Sequence, residues 1–531
     1  MRAALAVAFA VLLASPALAA TGGTLRYDLP DDVDSTDPAL AYFAHSWQVE
    51  YATCLKLVNY PDANGPRGST LVPEAATSLP RVSNGGRTYD FTVSAPWTRF
   101  SNGERVGPES FAHAIERVLD PRMQSPGAQF VADLVGAQAR LAGEAQSLPG
   151  VRVNGRHLRI TLTQPTPDFL ARIAMPFFCA VPADLPVDPT GVTPAAAGPY
   201  YIAARTPNRS LTLRRNPYYK GTRPRNPATI EFVVGNSIEA TRLRIEKGET
   251  DTGLFPAAAA AELGKKYGVN KGRFWVKPML NIWYLAFNHD RPLFGPGGGA
   301  GNVALKRAVN VALDRHALLI QAGAYFGRRT DQMLPPGVPG FRDVDLYPTV
   351  KPPDLARAKR LAAGRTRDGH AVLYAFNLGF GPLWGQVVAY DLKQIGLDVE
   401  VKAFSPIVAS AKASTRGEPF DMVLFGWVAD YPDPYDFLNV LLSGDTLGEA
   451  HNTNLAYFDD AGFNRKLRAA SLLNGDARYA TYGSLDAELM RDAAPVAPIA
   501  NSNNLVFVSK RVGCFTYSNV YSVDLAALCL R

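Results

Sequence analysis

From about residue 350 the apolar positions along the chain switch between two periods. Asp354 to Ala363 has helical spacing, and Ala371 to Phe376 is an apolar run of strand length. Leu383 to Ile395 is helical again and stops at Gly396. Asp398 to Phe404 and Phe420 to Phe425 read as two more strands. Strands alternating with helices predict βαβ units and a parallel or mixed sheet, so the fold class is α/β. Upstream, strands are predicted at Thr24 to Leu29, Tyr89 to Val93 and His157 to Thr163. Between the last two, Phe111, Ala114, Ile115 and Val118 share one helix face, and Asp120-Pro121 ends that helix. No repeat of fixed period and no low-complexity tract interrupts this order.

The run Phe420 to Phe425 leads straight into Gly426, Trp427, Val428, Ala429, Asp430, Tyr431, Pro432, Asp433 and Pro434. In open α/β sheets, ligands bind just beyond the carboxyl ends of the strands. Here that place holds an aromatic wall and a carboxylate, which suit an ammonium group on an apolar body. Each proline fixes φ and removes a donor, so the loop is stiff. The plainer reading is an acidic turn, its Asp side chains bonded to nearby backbone, with Asp433 and Asp436 capping a helix start. Tyr42 and Phe43, after the first strand, are candidates for the opposite wall, and equally for core packing.

Composition narrows the class. A chain of 531 residues exceeds one hydrophobic core, so two or three domains are expected. Apolar residues make up 47% and charged residues 19%, as in ordinary globular proteins. The net charge of +7 is dispersed, and its densest stretches, Arg205 to Arg225 and Arg357 to Arg367, are broken by other residues. Nucleic acid is therefore not an expected partner, since that needs a basic patch or stripe. Met1-Arg2, the apolar run Ala3 to Ala14, and Ala17-Leu18-Ala19 form a signal peptide with a cleavage site after Ala19. No cysteine near the cut offers a lipid anchor, and no later run spans a membrane. An exported protein meets an oxidising compartment, which gives the four cysteines meaning. Three pairings are open, and the favoured ones are Cys514 with Cys529 and Cys54 with Cys179.

Other chemistry finds little support. No GxSxG or HExxH occurs, and the seven histidines are scattered. A secreted hydrolase stays the rival from another class, but no catalytic residues are assigned. No cysteine or histidine array suits a metal, so neither metal nor cofactor is expected. The glycine run Gly295 to Gly301 fits no phosphate-binding motif and reads as a flexible connection.

Several separated segments, in order, resemble the bacterial extracellular solute-binding proteins of family 5, which include the oligopeptide- and dipeptide-binding components of ABC importers. They include Arg87 to Val93, Phe100 to Glu104, Ile115 to Arg117, Ala197 to Tyr200, and Leu211 to Tyr219. They continue with Leu285 to Asn288, Lys306 to Val309, Ala312 to Arg315, and Gly426-Trp427 with Asp430 to Pro434. The resemblance implies a two-lobed periplasmic binding protein type II fold with mixed sheets and an extra inserted subdomain. Lobe I would comprise residues 20–52, 181–278 and 484–531, the inserted subdomain 53–180, and lobe II 279–483. It implies a periplasmic monomer that delivers peptides or similar amine-bearing solutes to permease subunits in the inner membrane. A sugar, opine or metal chelate is the alternative ligand. In peptide-binding relatives an aspartate three residues after the loop tryptophan pairs with the ligand's α-amino group, and Trp427 and Asp430 hold that spacing. Trp283 resembles a cleft-lining residue, and its bulk would narrow the space.

Overall fold

The computed structural model describes residues 22–63, 65–93, 99–295, 302–349, 352–520 and 522–531. The signal segment and residues 296–301 of the glycine run lie outside them.

The first strand, β1 (Thr24–Leu29), is followed by helix α1 (Ala44–Thr53). The chain then leaves for a four-stranded antiparallel sheet built from β2 (Arg81–Ser83), β3 (Thr88–Thr92), β4 (Val151–Asn154) and β5 (His157–Thr161), in the order β2-β3-β5-β4. Helix α2 (Pro108–Val118) packs on it through Phe111, Ile115 and Val118, each buried. The short α3 (Phe169–Ile173) closes this excursion. The chain returns with β6 (Tyr200–Thr206), β7 (Ser210–Arg215), β8 (Thr229–Val234) and β9 (Thr252–Gly253). These join β1 in a five-stranded sheet ordered β9-β1-β8-β7-β6, with β1 parallel to β8 and β9.

A seven-stranded mixed sheet follows, most of it in the second lobe. Its strands are β10 (Phe274–Pro278), β11 (Asn281–Phe287), β12 (Gly327–Arg329), β13 (His370–Phe376), β14 (Asp398–Phe404), β15 (Met422–Val428) and β16 (Val496–Phe507). The order is β10-β16-β11-β15-β13-β14, with β12 on β16. Strand β13 runs parallel to both β14 and β15, as the alternating pattern predicts. Helices α4 (Val303–Ala312), α5 (Arg315–Ala322), α6 (Leu355–Ala362) and α7 (Gly381–Lys393) pack around it. Two more, α8 (Tyr435–Leu442) and α9 (Gly475–Glu488), complete this core. Arg315 is fully buried and donates to the carbonyls of Asn310, Thr330 and Pro498, tying α5 to β16.

Two details differ from the sequence reading. Strand β15 does not stop at Phe425 but continues through Gly426 and Trp427 to Val428, paired with Trp283, Ile282 and Asn281 of β11. Residues 485–500, placed by the resemblance in lobe I, pack in the lobe II core through Leu485, Leu489, Met490, Val496 and Ile499. Strand β16 leaves that core only near Asn501, where its partner changes, and pairs with β10 from Asn503 onward.

Cys54 is joined to Cys179, and Cys514 to Cys529. The first bridge lies where the chain leaves α1 and where it returns, beside the backbone bond from Ala180 to Leu55. The second fastens the C-terminal tail.

Candidate functional site

The site is assembled where β15 ends. Asp436, in the first turn of α8, is fully buried and turns back on the loop before it. Its Oδ2 accepts from Trp427 Nε1 and from the Asp430 backbone N–H, both at 3.1 Å. One carboxylate thus fixes the tryptophan's ring and the aspartate's backbone together. Asp433 Oδ1 accepts from the Tyr435 N–H, the helix-start role read from sequence.

Asp430 itself is 8% exposed. Its Oδ2 accepts from the Tyr42 hydroxyl at 3.0 Å, across 388 positions of sequence. The Tyr42 ring rests against Trp47 and Phe177, at 5.9 and 5.6 Å between centroids. Burial pushes the Asp430 carboxyl up to about 7, with the Tyr42 hydrogen bond pulling the other way. Asp436 is held well above its usual range, chiefly by burial and then by the charge of Asp430. Among the described residues no basic side chain forms an ion pair with either. Burying a carboxylate without a partner is costly, so the pair holds protons readily and would gain most from a cation supplied from outside.

Trp283 stands beside this loop on β11. Its ring packs on Phe380, Phe376 and Trp384 at 5.0, 5.6 and 6.1 Å, and its Nε1 donates to Ser502 Oγ at 3.2 Å. The ring covers Gly426, where an added Cβ would stand 2.6 Å from Trp283 Cζ3. That contact explains why the strand needs glycine at this point. Gly426→Ala is expected to cost about 1–3 kcal/mol by overpacking, seen as a lower melting temperature and altered tryptophan fluorescence.

Of the two residues proposed for the opposite wall, Tyr42 reaches the loop. Phe43 does not: it is 43% exposed, its ring lies against His45, and its N–H is held by the Asp34 carboxylate. Sequence reading missed Asp436 as an organiser of the loop, because a buried acid at a helix start looks like an ordinary cap. Two hollows lie elsewhere. One, water-sized at about 20 Å³, lies beside Glu50 and the Cys54–Cys179 bridge. The other, about 310 Å³, is an open depression lined by residues that include Asp345, Tyr347, Pro352, Asp354 and Arg357. Glu50, Cys54 and Cys179 bring possible metal-ligand atoms together, but the two sulfurs are bonded to each other and offer no thiolate.

Comparison with known proteins agrees with this architecture. Residues 70–449 match the family model described as bacterial extracellular solute-binding proteins, family 5 Middle. The periplasmic murein peptide-binding protein of Escherichia coli (strain K12) is 26% identical over 497 residues, covering 90% of this chain and 87% of its own. A probable deoxycholate-binding periplasmic protein of the same strain is 25% identical over 485 residues, 86% of each chain. Among solved structures, clavulanic acid biosynthesis oligopeptide binding protein 2 superposes with a TM-score of 0.86 at 25% identity, over 96% of each chain.

Proposed function

The chain belongs to the bacterial extracellular solute-binding proteins, family 5, and on that premise we propose that it captures short peptides, or similar amine-bearing solutes, between its lobes for an importer. It is exported, works as a monomer in the periplasm, and hands its solute to permease subunits in the inner membrane. No helix of the described residues is long and apolar enough to cross a membrane, which accords with that role. Lobe I comprises residues up to 52, 181–278 and 501–531, the inserted subdomain 53–180, and lobe II 279–500.

The observation that carries the reading is Asp430, a buried carboxyl with a tyrosine hydroxyl and no cationic partner among the described residues. The ammonium of a solute supplies the missing charge, Trp427 and Trp283 offer apolar faces, and Tyr42 closes the site from the other side. A second reading draws on the same carboxyl. Protonated, Asp430 is a donor, and the relative named for deoxycholate suggests an acidic apolar solute. The two differ in what a blocked amine does. Native mass spectrometry of the exported protein, followed by denaturing release, identifies the solute that co-purifies. Its N-acetylated form is expected to bind at least a hundredfold more weakly. An acidic solute without an amine, or equal affinity for the acetylated form, would overturn the peptide reading.

A further inference from the structure

Strands β15, β13 and β14 run parallel and side by side, and their carboxyl ends share one edge of the sheet. Phe376 ends β13 opposite Phe404 at the end of β14, and Val428 ends β15 just past that level. The residues that follow are apolar and open to solvent. Leu378 after β13, Ile407 after β14 and Val428 itself are each more than half exposed. Neither Asn377 to Phe380 nor Ser405 to Val408 holds a charged residue. The amino ends of the same strands differ: they are entered through Arg365 to His370, Lys393 to Asp398 and Arg416 to Asp421. Each of those runs carries both a base and an acid. Single exposed apolar residues mean little, but a contiguous set marks a binding surface.

The edge is continuous with the carboxyl of the candidate site. Val428 lies between Trp427 and Asp430 in the chain, and Trp283 is paired with Gly426 beside them. The Trp283 ring meets Phe376 and Phe380, which flank Leu378 in sequence. Neighbouring strands are about 4.8 Å apart, so the three make a ledge roughly 10 Å across, the reach of about three extended residues. A charged side chain laid on it would lose water without finding a partner, whereas an apolar one gains by leaving water. We propose that this ledge sets specificity for the body of the solute whose ammonium meets Asp430, selecting peptides with bulky apolar side chains after the first residue. That selectivity rests on the amine-bearing reading above and adds the chemistry of the rest of the solute.

The test compares Ala-Phe-Leu-Phe with Ala-Ser-Gln-Ser, equal in length and net charge, by calorimetry on protein freed of bound solute. The apolar peptide is expected to bind about thirtyfold more tightly, or better. Leu378→Ser with Ile407→Ser, both at exposed positions, is expected to cut that preference about tenfold and to leave the polar peptide's affinity unchanged. Equal affinity for the two peptides, or no binding of either, would overturn the ledge. A preference untouched by the serine substitutions would do so as well. The amine-bearing reading fails separately. An N-acetylated Ala-Phe-Leu-Phe held as tightly as the free peptide removes the amine contact, while loss of preference in the serine variant keeps the ledge. Conversely, two peptides bound alike, and both weakened by Asp430→Asn, remove the ledge alone.

Discussion

Between pH 7 and pH 5, affinity for an amine-bearing solute is expected to fall about tenfold per pH unit, and to be level above pH 7. Burial, the largest influence, pushes the Asp430 carboxyl up to about 7, and the Tyr42 hydroxyl only partly offsets it. An ammonium binds the carboxylate, so below pH 7 a proton must leave before the pair can form. Calorimetry in buffers of different ionisation heat should therefore show release of up to one proton at acid pH. An acidic solute held by the protonated carboxyl gives the opposite slope, with affinity lost as pH rises above 7. Asp430→Asn is expected to cost about 2–5 kcal/mol of binding, roughly thirtyfold to several thousandfold, and to flatten the profile. A variant that keeps both affinity and slope would remove Asp430 from the site. The same raised pKa bears on the empty protein. A group raised on folding contributes stability below its unfolded pKa and loses it as pH rises through the folded one. The Asp430 contribution thus declines between about pH 4 and pH 7, and solute restores what was lost.

Loss of the bridge between Cys54 and Cys179 is the second large effect. It closes a span of 125 positions around the whole inserted segment. In the chain-entropy account, a loop of that length contributes close to 5 kcal/mol, and measured losses run about 2–5 kcal/mol. The Cys54→Ser, Cys179→Ser variant should melt earlier, with the inserted segment unfolding as a separate calorimetric transition. The Cys514→Ser, Cys529→Ser variant opens a span of only 15 positions and should cost less, about 3 kcal/mol at most on the same scale. Equal melting of the first variant and the unsubstituted protein would show that the packing around Leu55 and Ala180 holds the junction unaided.

What the sequence made legible is what local pattern controls. Strand β13 followed from its unbroken apolar run, buried on both faces, and β14 and the helix between them from their period, since all three pack on neighbours close in sequence. The loop after β15 was legible as a ligand position for the same reason. Its partners were not. Tyr42 lies 388 positions from Asp430 and Asp168 lies 263 from Tyr431, and no periodicity links residues that meet only across a seam. The reading of Phe43 with Tyr42 shows the converse limit. Adjacent aromatics looked equivalent, yet Tyr42 precedes the helix with its ring on Trp47 and Phe177, while Phe43 caps the helix start and faces outward. The end of β15 was set three residues early because glycine marks turns more often than the passage of a ring over a strand.

The twelve residues of β16 serve two bodies, pairing with β11 and β12 up to Ser502 and with β10 from Asn503. Asn281, where the other crossing chain comes back, accepts from the Asn501 side chain through its carbonyl and from the Ser502 N–H through Oδ1, both at 2.8 Å. The two crossings are therefore laced into one ribbon. Rotation of the lobes has to flex that ribbon rather than unfasten it, much as a leaf spring is bent.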